Sequence, residues 1–184
     1  CQPRRSTRRS APAASSPQIA TDSVATEREK GVLGVNLKGN FLMSQACLPA
    51  MQVGGGAIVC IASIAGQNGG GVFGRSHYAA AKAGIMGLAK ALGRELAPLG
   101  IRANAITPGS VRTMAWDHRI ERDPGILAKV RQLYPLGRMV EPAEVARAAA
   151  FLASPLASGI TGTVLPVDAG ISAGNLPFLE QIAG

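Results

Sequence analysis

Tyr78 and Lys82 stand four residues apart in Tyr78-Ala79-Ala80-Ala81-Lys82, inside an alanine-rich stretch that reads as helix. Residues at that spacing share a helix face, so a phenol and an ammonium can point into one cleft. An ammonium beside a phenol favours the phenolate, which gives a general acid/base usable near neutral pH. Ser63 follows the short apolar run Ala57-Ile58-Val59-Cys60-Ile61-Ala62. That puts a hydroxyl at the carboxyl end of a strand, where parallel sheets place their chemistry. Asn36 lies in Val35-Asn36-Leu37-Lys38-Gly39, and Pro108-Gly109 closes a further apolar run with Thr113 just beyond. Each of these has a plainer reading when taken alone. Asn36 is then a polar helix residue, Ser63 a helix cap, and Thr107, Thr113 and Thr161 are loop threonines. His77 reads as a solvated or loop-capping histidine, and Asp168 as the structural end of its strand.

The elements that must position these groups follow from the pattern. A long helical pattern runs from about Val24 to Met51 and breaks at Gly54-Gly55-Gly56. The run Ala57–Ala62 has the continuous apolar character of a strand buried on both faces. A glycine-rich loop, 66–74, precedes a helix from His77 to Leu96. Ile101–Ile106 is the next buried strand, stopped by Pro108-Gly109. A looser segment, 111–140, holds Trp116, Tyr134 and two prolines. Glu141-Pro142-Ala143-Glu144 opens a helix with acids and an early proline, as the helix dipole prefers. Gly162–Val167 is the third strand. Strand and helix alternate, which predicts an α/β fold with a parallel sheet and right-handed crossovers.

Length and composition set the bounds. The 184 residues fit one domain, and an interior rich in alanine, valine, isoleucine, leucine and glycine suits helices on a buried sheet. Cys1, Cys47 and Cys60 have neither metal-ligand spacing nor an even pairing, so Cys60 reads as core, no metal site is expected, and a reducing, cytoplasmic setting is the default. No apolar stretch reaches the ~18–20 residues that span a bilayer. The net charge of +8 is uneven, because Arg4, Arg5, Arg8 and Arg9 precede the first acid, Asp22. Residues 1–18 are too polar to offset their chain entropy and read as a disordered basic arm, a spurious beginning or an organelle transit segment. No aromatics interleave with those arginines, so nucleic-acid binding is not expected. Residues 19–184 form the folded domain.

The blocks Val35–Gly39, Ile61-Ala62-Ser63, Tyr78–Gly84, Ile101–Gly109 and Ile160–Asp168 resemble, in order, those of the short-chain dehydrogenase/reductase family. The resemblance covers roughly residues 20–175. It implies a partial Rossmann-like, doubly wound parallel sheet of about three strands with flanking helices. It also implies an NAD(P)-dependent oxidoreductase acting on a small carbonyl or secondary alcohol, with NAD and NADP equally open. Asn36, Ser63, Tyr78 and Lys82 would be the catalytic group. Tyr78 would exchange a proton with the substrate oxygen, and Ser63 would hydrogen-bond that oxygen. Lys82 would bind the cofactor's ribose, and Asn36 would hold a relay water. Tyr78, Lys82, Pro108, Gly109 and Thr113 would contact the cofactor. Met114, Trp116, Ile126, Leu127, Val130 and Tyr134 would form an apolar lid, and the helices of Asn36 and Tyr78 would pair two subunits.

One departure from the family pattern matters. The phosphate-binding glycine motif and the Asn-Asn-Ala-Gly block expected ahead of the first long helix are absent from the sequence. Gly69-Gly70-Gly71-Val72-Phe73-Gly74 satisfies the glycine spacing, but it follows Ser63 rather than a strand end, and Glu95 falls inside a helix. The N-terminal βαβ units are therefore expected to be missing, with the strand Ala57–Ala62 left at a sheet edge. The chain then reads as a fragment or truncated relative with its catalytic half present. Its alternative role is a non-enzymatic dimerisation module.

Overall fold

The computed structural model describes residues 26–70 and 76–174. The basic arm, the start of the first helix at 24–25, Gly71–Gly74 of the glycine run and the tail lie outside the described residues. The first helical stretch is α1 (Thr26–Leu33), a π-helical turn over Gly34–Lys38, then α2 (Gly39–Met51). In the π turn the Gly39 amide bonds the Gly34 carbonyl, five residues back. Side chains take up carbonyls along this stretch. Asn36 Nδ2 donates to Val32 O at 3.0 Å, Asn40 Nδ2 to Asn36 O at 2.6 Å, and Ser44 Oγ to Asn40 O at 2.8 Å. Around this ladder the helix is apolar on most sides, and Val35, Phe41, Leu42 and Met43 are exposed.

The chain continues through β1 (Gly56–Ile61), α3 (Ala65–Asn68), α4 (Ser76–Glu95), β2 (Ile101–Pro108), α5 (Met114–Arg122), α6 (Ile126–Leu133), α7 (Pro142–Ala153) and β3 (Val164–Val167). The three strands are parallel in the order β1-β2-β3, so β1 holds an edge, as expected. Gly56 faces Ile101 in the first pair, and Ala105 faces Val164 in the second. Alternate residues of β2 then serve opposite layers. Ile101 and Ala103 meet Leu92 of α4 and Leu96 just past its end, and Ala105 and Cys60 meet Ile85 and Ala89 of the same helix. Ile106 packs on the other face against Leu152 of α7 and Ala157. Helices therefore cover both faces of a parallel sheet, which is the partial Rossmann-like α/β arrangement. Burying Ile85, Ile101, Ile106 and Leu152 almost completely contributes about 1.5–3 kcal/mol each.

The segment 111–140 differs from expectation. It is two short helices, α5 and α6, rather than a loose stretch. Trp116, Val130 and Tyr134 turn inward to form a separate core with Met139, Val140 and Ala169. This is why a pattern broken by Pro124 and Pro135 still folds: each helix is amphipathic over only two turns. Of the expected apolar lid, Met114 and Leu127 are exposed instead. The start of α7 is as expected. The Glu141 amide donates to Glu144 Oε2, and Arg138 holds the same carboxylate with two 2.8 Å bonds.

Two contacts fix the layers that carry the site. Gly66 of α3 lies so close to α4 that a Cβ there would sit 2.5 Å from Ala83 N. Thr161 Oγ1 accepts the Ala103 amide and donates to Gly93 O, tying the loop before β3 to both β2 and α4.

Candidate active site

β1 ends at Ile61, but its ladder goes one residue further, because the Ala62 amide donates to Ile106 O at 2.8 Å. Ser63 comes next and enters the turn into α3, where its Oγ accepts the Ala65 amide at 3.1 Å. Ser63 thus makes a local turn bond, with Ile64 rather than Ser63 at the N-cap of α3, and it also lines a cavity of about 340 Å3 above the ends of β1 and β2. Tyr78 and Lys82, one helical turn apart near the start of α4, line the same cavity. So do Pro108 at the end of β2 and Gly109 and Thr113 beyond it. Six of the seven sequence-predicted residues thus meet at one place.

Asn36 is not among the cavity's lining residues. Its amide is engaged by Val32 O and its carbonyl by Asn40 Nδ2. A relay water on that carbonyl has only the second lone pair to use.

Lys82 Nζ lies 5.5 Å from the centre of the Tyr78 ring and donates to Ile61 O at 2.9 Å. Since the Gly56 and Ala62 amides point at β2, the period of two turns Ile61 O toward the open edge of the sheet. Partial burial pushes the Lys82 ammonium below the ordinary lysine range. Lys82 is thereby a half-buried cation at the cavity rim, tethered by a neutral carbonyl rather than a carboxylate. An oxygen-rich ligand can compete for such a cation.

On the other wall, Gly109 passes so close to Asp168 that a Cβ would lie 2.9 Å from the Asp168 Cα. Asp168 itself accepts the Gly170 and Ser172 amides, organising the turn after β3 as expected. Thr107 is fully buried with no partner for Oγ1, and His77 Nδ1 is buried without one. Among the described residues no group of three or more His, Cys, Asp or Glu side chains could hold a metal ion, and no helix is long and apolar enough to cross a membrane.

Sequence reasoning missed Ser110. It lines the cavity between Gly109 and Val111 and is bonded to Tyr134, 24 residues away. Its neighbour Val111 pairs with Val140 in an isolated bridge. No local pattern signals a contact across that separation.

A family model described as enoyl-(acyl carrier protein) reductase matches residues 11–172. An uncharacterized short-chain type dehydrogenase/reductase of Sinorhizobium fredii is 41% identical over 76% of the chain, which covers 55% of that relative. A solved oxidoreductase of the short chain dehydrogenase/reductase family from Burkholderia thailandensis is 35% identical. Its TM-score is 0.81, over 88% of this chain and 63% of that one. A 3-oxoacyl-[acyl-carrier protein] reductase from Brucella melitensis with bound NAD is also 35% identical. Its TM-score is 0.69, over 81% of this chain and 53% of that one. The chain spans about half the length of the curated relatives it matches.

Proposed function

The chain belongs to the short-chain dehydrogenase/reductase family, and from that premise we propose that it carries the proton-transfer half of an NAD(P)-dependent carbonyl reductase or secondary-alcohol dehydrogenase. The observation that supports this reading is the meeting of Ser63, Tyr78 and Lys82 at one cavity with Pro108, Gly109 and Thr113. Among the described residues no side chain selects NAD over NADP.

The residues present suit one end of such a cofactor. The Lys82 ammonium offers donors to ribose hydroxyls, and the Pro108–Thr113 turn offers backbone groups to a nicotinamide ring. Among the described residues no glycine-rich turn opening a helix is placed to meet a pyrophosphate. When bound, a nicotinamide cofactor supplies or accepts the hydride. The protein's own part is the proton. In oxidation, the Tyr78 oxygen takes the proton of the substrate hydroxyl while that carbon gives up its hydride, leaving a ketone. In reduction, Tyr78 returns the proton. Ser63 donates a hydrogen bond to the same substrate oxygen as charge develops there. Lys82, one turn along, keeps positive charge near the phenol. Tyr78→Phe removes the proton donor without changing the apolar packing. With NADH or NADPH and a ketone panel, followed by absorbance, the variant should lose about 10²–10⁴-fold in kcat. Equal turnover by Tyr78→Phe would sink the assignment.

A second reading concerns association. Val35 and Met43, at 76% and 65% exposure, lie on a helix with few polar side chains, which suits burial against another helix. We assign this stretch, with α4, to pairing of two subunits. Sedimentation of the parent and of Met43→Glu checks it. A parent dimer that turns monomeric in the variant is expected, and a parent that stays monomeric at high concentration refutes it.

A further inference from the structure

Tyr134 is almost wholly buried, yet its hydroxyl does not serve the core around it. It donates to Ser110 Oγ at 2.6 Å and accepts the Ser110 amide at 3.1 Å. The third polar group of Ser110, its carbonyl, accepts the Val140 amide at 2.9 Å, and Arg112 N returns a bond to Val140 O at 2.8 Å. Every backbone and side-chain polar group of Ser110 is therefore fixed by a residue at least 24 positions away. Ser110 nonetheless stands on the cavity wall.

Hydrogen-bond accounting gives this clamp a chemical meaning. A serine hydroxyl has one proton and two lone pairs. The Tyr134 proton fills one lone pair, so the Ser110 proton is left to donate elsewhere. A hydroxyl that already accepts a short hydrogen bond is polarised into a better donor. Phenylalanine at 134 would keep the ring packing and lose this effect. Tyr134 also sits at the end of α6, so the same bond ties the lid helices to the turn that follows β2.

We infer that Ser110 is a ligand-contacting hydrogen-bond donor of the cavity, aimed at a carbonyl or carboxamide oxygen, and that Tyr134 is the positioning residue that orients it. The inference rests on the reading of the cavity as a nicotinamide and carbonyl site. Its ligand class is a neutral oxygen acceptor rather than an anion, because the donor is a hydroxyl with no cation directly bonded to it.

The test uses the full chain and three variants: Ser110→Ala, Tyr134→Phe and the double variant. Binding of NADH, NADPH and reduced nicotinamide mononucleotide is followed by fluorescence, and amide hydrogen exchange is read across 110–113. Ser110→Ala should weaken binding about tenfold, the scale of one lost hydrogen bond. Tyr134→Phe should weaken it several-fold, with faster exchange confined to 110–113 and a melting temperature lowered by a few degrees, the scale of a partly buried amide left unpaired. The double variant should be no weaker than Ser110→Ala, because Tyr134 acts only through that hydroxyl. A Tyr134→Phe variant that melts earlier but binds like the parent overturns the proposal, since its role is then only structural. Additive losses in the double variant overturn it too. If the parent binds none of the three probes, the nicotinamide reading fails by itself, and the exchange data decide the rest. Faster exchange at 110–113 alone then supports the clamp, and unchanged exchange there ends it.

Discussion

Replacing Gly66 with alanine sets two effects of known size against each other. Gly66 is a helical residue of α3, so alanine there gains about 1 kcal/mol of intrinsic helix preference. The added Cβ would lie 2.5 Å from Ala83 N, 2.7 Å from the Lys82 carbonyl carbon and 2.9 Å from Met86 Cε. The methionine tip can swing away, but the other two atoms are backbone of α4 and cannot. With two backbone atoms inside 3 Å the overpacking cost lies in the upper part of its range, about 2–3 kcal/mol, so against about 1 kcal/mol of helix preference the clash should win by about 1–2 kcal/mol. For a domain of this size that is a fall of roughly 2–8 °C in melting temperature. Gly87 supplies the matched control, exposed on α4 with nothing within 4 Å of its Cβ. Gly87→Ala should raise the melting temperature by roughly 2–4 °C, since only the helix preference acts there. Thermal and urea unfolding of both variants decide the matter. A Gly66→Ala protein as stable as the parent, beside a stabilised Gly87→Ala, would refute the close approach of α3 to α4.

Two pH responses follow from the charged groups. Arg138 holds the Glu144 carboxyl down to about 2, so its contribution is present above the ordinary glutamate range and is lost as pH falls from there toward 2. Unfolding of the parent and of Glu144→Gln across that window should show the parent's advantage shrinking as acid is added. A constant difference would contradict the pairing. Burial lowers the Lys82 pKa, so the unfolded chain binds the proton more tightly, and stability should rise as pH climbs from the depressed value to the ordinary lysine range. Lys82→Met should flatten that rise, and an unchanged slope would remove Lys82 as its source.

The residue pattern carried the sheet and its two long covering helices, because continuous apolar runs and alanine-rich periodicity are local signals. Strand ends moved slightly: β1 is Gly56–Ile61, β2 extends to Pro108 and β3 begins at Val164. Of the six cavity residues, Ser63, Pro108 and Gly109 were legible because they sit at strand ends, Tyr78 and Lys82 because they share a helix face, and Thr113 only through the family resemblance. Asn36 lies in the π turn with its side-chain amide on Val32 O and its backbone carbonyl on Asn40 Nδ2, and a helix register of that kind leaves no mark in residue type. The Ser110–Tyr134 pair was illegible because its information is a distance across 24 residues. The helices α5 and α6 were hidden by short length and flanking prolines, and only their joint core reveals their inward faces.

Gly93 lies in the last turn of α4, where a Cβ would meet Gly162 N at 2.7 Å and Thr161 Oγ1 at 2.8 Å. Tyr78 lies fifteen residues earlier on the same helix, about 22 Å away at 1.5 Å per residue. The helix is thus a lever whose fulcrum is the contact with the loop before β3. A tilt of about 3° at Gly93 carries Tyr78 through roughly 1 Å, a displacement on the scale at which reacting groups lose alignment. A methyl group at residue 93 would be felt by the phenol at the far end, although the two never touch.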